Sequence, residues 1–531
     1  MAGGALTILV AHGFENIYLC GEPQITFFKI VYRRYTNFAI EPIAQKFTST
    51  PNFGKKYSCF ISKSADLVGQ VYIVITLPQI RAFSDSLTQF AWVKRIGFAM
   101  IKSVEIEING MTIDFHYGEW LSIWAELTGQ LTGSNSRGYN IMIGNTTDMY
   151  NFTSTKNQTV LYVPLYFWFC KSSGNLIPLV SLQYSDVKIN VEFQEVQNCY
   201  RLTPSHYIQC RDDIVNFIQG EYIQQNINGV INAGIFASYD INYKRLYYYK
   251  ITSTKLTSYP VALGFDSSNN NITQINQLLS SSTGLQYQII GQTSGYATYA
   301  QFNCFTTTYQ SNLSIRNLNL VDSYILVHYY FLDDDERLKF ANSRHDYLIE
   351  QLYTTPNVQI TGNTINANVS VDHPCKFLVW LVQMDYIAKA LDYYNYTDSY
   401  INKVYVADSA TNLIVTGDPT GSSLITTETL LLNGNTRLSL RDKSYFDTCQ
   451  IIQHLKTNIS KGLNLYSFAS YPLMLQPSGS CNMSQIDLVQ VQMNFTNTIN
   501  VNNPASFRCY GISYNVLRIV NGLAGLVFTN V

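Results

Sequence analysis

The sequence predicts a mostly-β protein built as two similar sandwiches. Three observations carry that prediction: recurrent period-two alternation of apolar and polar residues, few stretches with helical spacing, and an aromatic, weakly charged composition. Of 531 residues, 40 are Tyr and 46 are Asn; 46% are hydrophobic and 14% aromatic, against only 13% charged.

The first clear element is a hairpin. Val104, Ile106 and Ile108 alternate with Glu105 and Glu107, and Met111, Ile113 and Phe115 alternate beyond the turn. Asn109-Gly110 between them suits a type I′ turn, whose two central residues need positive φ. Trp120, Ile123, Trp124 and Leu127 then fit i, i+3, i+4, i+7 and predict a short helix. Val187, Ile189, Val191 and Phe193 predict a further strand, as do Val489, Val491, Met493 and Phe495 near the C-terminus. One-faced burial of this kind belongs to antiparallel sheets packed as sandwiches. A second helix is predicted over about 336–352, with Leu338, Ala341, His345, Ile349 and Leu352 on one face. Asp333, Asp334 and Asp335 precede it, where negative charge suits a helix N-terminus.

The polar stretch 219–233 marks a mid-chain boundary, so the expected organisation is 1–25 as an arm, 26–220 and 241–531 as the two sandwiches, and 221–240 as a linker. Residues 267–297, 354–371 and 392–436 are rich in Ser, Thr, Asn and Gly and are expected as long surface loops of the second half.

Composition excludes several function classes. With 35 Lys+Arg against 36 Asp+Glu the net charge is -1, which argues against a direct nucleic-acid coat. The apolar fraction is too high for disorder. No apolar run reaches the 18 or so residues of a membrane span, so no membrane insertion is expected. Residues 6–11 lack the basic flank of a secretory signal. The ten cysteines are dispersed without a CxxC, as expected of thiols in a reducing compartment.

No phosphate-binding, dinucleotide, zinc-protease or nucleophile-elbow motif is present in the sequence, and neither an enzyme nor a cofactor is expected. Asp333–Glu336 reads as a solvated helix start. Cys199, His206 and Cys210 have no standard zinc spacing. His373-Pro374-Cys375 leads into an apolar run and reads as the start of a strand. Lys29, Arg33 and Arg34 form the one notable basic cluster, set among aromatics, and suit an interface or an edge. Tyr393, Tyr394 and Tyr396, if exposed on a loop, would suit a carbohydrate-binding sandwich. Ten Asn-X-Ser/Thr sequons barely exceed chance; Asn145, Asn151, Asn157, Asn271 and Asn395 are taken as possible glycosylation sites.

The run LTILVAHGFENIYLCGEPQITFFKIVYRRYTNFAIEPI (6–43) resembles the N-terminal signature of the major capsid proteins of nucleocytoplasmic large DNA viruses. Blocks at 103–129, 161–195, 333–352 with 373–383, and 476–488 with 514–528 agree in order, so the resemblance spans the chain. It implies a double jelly roll: two tandem eight-stranded jelly-roll β-sandwiches with short helices in loops. It also implies a homotrimer forming a pseudo-hexagonal capsomer, with neighbouring capsomers and minor and penton capsid proteins as partners. The icosahedral shell would enclose an internal membrane and the DNA genome, and would be made in the host cytoplasm. A minor or vertex capsid paralogue is the alternative within the same class. Carried over, Gly21, Pro23, Gln24, Phe27, Phe28, Lys29, Tyr32, Arg33 and Arg34 would contact neighbouring subunits or minor proteins, or pack within the first domain. Cys20 and Glu22 depart from the Thr and Asn of the signature.

Overall fold

A computed structural model describes the chain except residues 1–9, 12–21, 25, 31, 82–88, 203, 205, 213–214, 218–220, 241–243, 251–253, 259–281, 293, 302–306, 309–317, 390, 399–403, 409–411, 417–420, 502–503 and 529–531. Eight strands form the first sandwich: β1 (Phe38–Gln45), β2 (Lys56–Phe60), β3 (Leu67–Leu77), β4 (Ile101–Ile108), β5 (Met111–Tyr117), β6 (Thr159–Pro164), β7 (Val187–Phe193) and β8 (Asp322–Leu332). They pair antiparallel in the orders β1-β8-β3-β6 and β2-β7-β4-β5. Apart from the β4–β5 hairpin, successive strands thus change sheet, and the last strand lies beside the first. This is the jelly-roll topology.

A second set repeats it: β9 (His345–Thr354), β10 (Thr364–Asn368), β11 (Pro374–Met384), β12 (Ile425–Leu432), β13 (Asn435–Thr436), β14 (Leu463–Ser467), β15 (Val489–Phe495) and β16 (Ala505–Val520). Their orders are β9-β16-β11-β14 and β10-β15-β12-β13. The chain is therefore a double jelly roll, as the resemblance implies. Alternation sets which side is buried: Val489, Val491, Met493 and Phe495 of β15 are buried while Gln490, Gln492 and Asn494 are partly exposed. The predicted hairpin is β4–β5, with Ile108 opposite Met111 and φ of 52° and 80° at Asn109 and Gly110.

The boundary differs from the expectation of a linker at 221–240. That segment forms the strands Tyr222–Ile227 and Val230–Asp240, joined by Asn228-Gly229 with both φ positive. Its Gln and Asn residues are polar positions of a hairpin, in a sheet with its own core of Ile208, Ile223, Phe236, Leu246, Tyr248 and Ile289. This sheet is an insertion between β7 and β8. The first sandwich is completed only by β8, whose Ile325, Val327 and Tyr329 are fully buried in its core. The described part of the expected loop 267–297 accordingly belongs to this insertion rather than to the second half, with the strand Gln288–Gly291 in its sheet. The other two expected loops also carry strands, β10 in one and β12 in the other, besides a hairpin of Val404–Asp408 with Asn412–Thr416.

The helix expected over 336–352 is a helix followed by a strand. Asp334–Asn342 is helical, and Asp333 caps it by accepting the Asp334 N–H at 3.0 Å. Ser343 turns extended (ψ 147°), and His345 onward pairs along β16. The apolar residues on one helical face were shared between two elements, and β-sheet pairing took the C-terminal half.

Candidate assembly surfaces

The two sandwiches meet across helix α1 (Gly118–Leu127), which leaves the end of β5. Gly118 is required at that junction, because a Cβ there would lie 2.2 Å from the carbonyl oxygens of Phe98 and Ile101. The helix turns Trp120, Ile123, Trp124 and Leu127 into one apolar cluster with Phe377, Val379 and Leu381 of β11 and Tyr510 and Ile512 of β16. The helical spacing in the sequence thus marks the seam between the halves.

Charged groups inside the seam are paired. Glu119 Oε1 accepts from Arg508 Nη2 at 2.8 Å and from the Tyr396 hydroxyl at 3.3 Å. Arg508 Nε lies 2.8 Å from Glu119 Oε2, which also accepts from the Tyr510 hydroxyl. Burial opposes the Arg508 charge, but the adjacent Glu119 holds its pKa above the ordinary value. Glu126 binds Arg95 on its own side and accepts from Ser460 N at 2.8 Å on the other. Glu350 lies between Lys171, at 2.6 Å, and Lys376. Burial would raise its pKa, yet the two ammonium groups hold it below the usual value. These contacts join the sandwiches into one block.

A cleft of about 580 Å³ opens beside this seam, lined by Tyr117, Tyr393, Tyr394, Tyr510, Gln383 and Arg508. Tyr393 donates to the Asn198 carbonyl at 2.9 Å, while Tyr394 and Tyr396 are buried. The expected platform of exposed loop tyrosines is therefore absent; the three rings are consumed in packing.

The arm is the opposite case, and it runs beyond the expected 1–25: the first strand begins only at Phe38, and the described residues between 26 and 37 are exposed and outside any strand. Gly21 lies outside the described residues, whereas Pro23, Gln24, Phe27, Phe28, Lys29, Tyr32, Arg33 and Arg34 are all exposed. Phe27 is 89%, Phe28 97% and Tyr32 85% accessible, so among the described residues these rings do not pack into the first sandwich. Five large apolar side chains in this arm, counting Ile30 and Tyr35, stay in water. Monomers seldom leave such a patch uncovered.

Comparison with known proteins fits this geometry. Residues 26–239 match the family model described as major capsid protein N-terminus, and residues 336–525 match large eukaryotic DNA virus major capsid protein. The chain belongs to the major capsid protein family of large eukaryotic DNA viruses. It is 38% identical over 541 residues to "Probable capsid protein 4" of Acanthamoeba polyphaga mimivirus, covering 99% of each chain. It is 30% identical over 625 residues to the major capsid protein of Phaeocystis pouchetii virus, covering 100% of each. Among solved structures, the Faustovirus major capsid protein shares the fold, with a TM-score of 0.64, 11% identity, and 97% and 96% of the two chains covered.

In this capsid-family chain the remaining site candidates separate by burial. Asn151 and Asn157 are exposed, while Asn145 is half-buried and donates to Asn140 Oδ1 at 2.7 Å. Asn271 lies outside the described residues. Asn395 is corrected: it is 1% accessible, donates to Asp392 Oδ2 at 2.9 Å and accepts from Thr397 N at 3.1 Å, leaving no room for a glycan. Cys199 belongs to the first core and Cys210 to the insertion core, and no metal-binding group of His, Cys, Asp or Glu occurs among the described residues. Cys375 starts β11 as expected, and burial pushes its thiol up to about 12.

Proposed function

We propose that this chain is the repeating unit of an icosahedral virion shell: a homotrimer forming a pseudo-hexagonal capsomer, without catalytic activity. The observation that carries this reading is the welding of two jelly rolls into one block across the α1 seam. Three such blocks give six similar lobes, which is how a threefold object fills a sixfold position. The insertion leaves β7 and returns to β8 at one end of the first sandwich, whereas Phe38 at the root of the arm pairs with Leu332 at the other end of β8. Eleven strand residues separate these ends by about 36 Å. The insertion faces outward in this reading and the arm faces inward.

Neighbouring capsomers and minor and penton capsid proteins are the partners, over an internal membrane that the chain does not enter, with assembly in the host cytoplasm. The charge balance of -1 lets many like copies approach without strong repulsion. Weak contacts between capsomers are multiplied across the shell. Exposed Asn151 and Asn157 are the sequons open to a glycan. The mass of the purified protein by light scattering after size exclusion is expected to be about three times 60.3 kDa at micromolar concentration; a stable monomer would count against the trimer.

A further inference from the structure

Two complementary features lie at the same end of the first sandwich. One is the arm, where Phe27, Phe28 and Ile30 are 89%, 97% and 75% accessible and Lys29, Arg33 and Arg34 make no ion pair among the described residues. The other is helix α2 (Asp334–Asn342), which follows Leu332, the residue opposite Phe38 at the root of the arm. Two of its neighbouring charges are already used: Arg337 binds Asp66 at 2.9 Å and Lys339 binds Glu336 at 3.1 Å. Asp334 and Asp335 keep no cation among the described residues, and Leu338 beside them is 60% accessible.

We propose that the arm of one copy docks on helix α2 of a neighbouring copy, with Lys29, Arg33 and Arg34 facing Asp334 and Asp335 and the paired Phe residues covering Leu338. The inference rests on the shell reading, in which copies stand side by side with the same end inward. It deepens that reading by naming what the arm touches. Each copy brings both halves of the contact at one level, so the contact is head-to-tail and can repeat from copy to copy. Nine residues separate Lys29 from Phe38, a reach of roughly 30 Å for extended chain, so the basic residues are not confined to the root of the arm. The guanidinium groups suit carboxylates, and an exposed pair of this kind is individually weak, so the apolar contact and repetition must supply the rest.

Zero-length carbodiimide coupling of the full-length protein, mixed from ¹⁴N and ¹⁵N preparations, tests the contact. The expected product joins the Lys29 peptide to the 333–336 peptide with mixed isotopes. Absence of that product, or products of a single isotope only, would overturn it, the latter by showing that each arm folds onto its own helix. R33E/R34E and D334R/D335R, each alone, should lose the sedimentable assemblies expected of the wild type while keeping the expected trimer mass, and mixing the two should restore them. Loss that mixing does not repair also overturns the proposal. Failure of the wild type to trimerise would instead strike the shell reading itself.

Discussion

Glu119→Ala is expected to destabilise the protein by about 1–3 kcal/mol, the cost of stripping a partly buried polar cluster of its acceptor; the Glu119 and Arg508 side chains are 19% and 23% accessible. The variant leaves the Arg508 guanidinium in the seam with only Gln383, 2.7 Å from Nη2, as an acceptor. It also strips the Tyr510 and Tyr396 hydroxyls of their common acceptor. Because these groups lie between the sandwiches, the loss falls on their coupling. Calorimetry should show the single wild-type transition divide, with one sandwich melting first. Glu119→Gln keeps an acceptor and should lose less. Replacing both partners, Glu119→Leu with Arg508→Met, should recover most of the loss, since it removes the unpaired charge. An alanine variant within about 0.5 kcal/mol of wild type, the usual range for a surface substitution, would show that the seam does not depend on this pair.

Glu428→Gln is expected to stabilise the protein at alkaline pH and to change little in acid. Glu428 of β12 is fully buried, accepts from Trp380 Nε1 at 2.7 Å, and has no hydrogen-bond partner for Oε1 among the described residues. Burial, with smaller contributions from Asp447 and Asp442, pushes its carboxyl from 4.5 up to about 8. Arg441, opposite it in the register, is exposed. Below pH 4.5 the group is protonated both folded and unfolded. Between there and about pH 8 the unfolded chain releases the proton and the folded chain keeps it, so stability falls as pH rises. The full shift corresponds to a loss of about 5 kcal/mol, reached above pH 8. Urea titrations of wild type and variant at pH 5 and pH 8.5 should therefore diverge, the variant being the more stable only at the higher pH. Parallel curves would show that Glu428 is ionised in the fold without cost.

The hairpin at Asn109-Gly110 is legible in the sequence because strict alternation flanks the turn. The same dipeptide recurs at 228–229, 433–434 and 521–522, each time with both φ positive and strands on either side. The turn at 228–229 sits in polar sequence, where alternation is weak, so its strands read as linker; that at 433–434 falls in the expected loop 392–436, and that at 521–522 in a largely apolar run without alternation. The missing boundary has another cause. β8 closes the first sandwich from more than a hundred residues beyond β7, and no local pattern encodes a partner so distant. Helix α1 shows the opposite situation: its spacing is local, and the sequence shows both its place and its apolar face. The basic-aromatic arm is legible as a motif. Only the structure shows that the arm finds no cover among the described residues of its own subunit, and that Asn395, Tyr394 and Tyr396 are buried.

A cryo-EM reconstruction of the particle with this chain traced in its shell is the most direct test. The expected map has trimeric capsomers across the facets, the insertion outermost, and each arm at the inner face against a neighbouring α2. A shell whose facets are built from another chain, with this one confined to the vertices or absent, would contradict it.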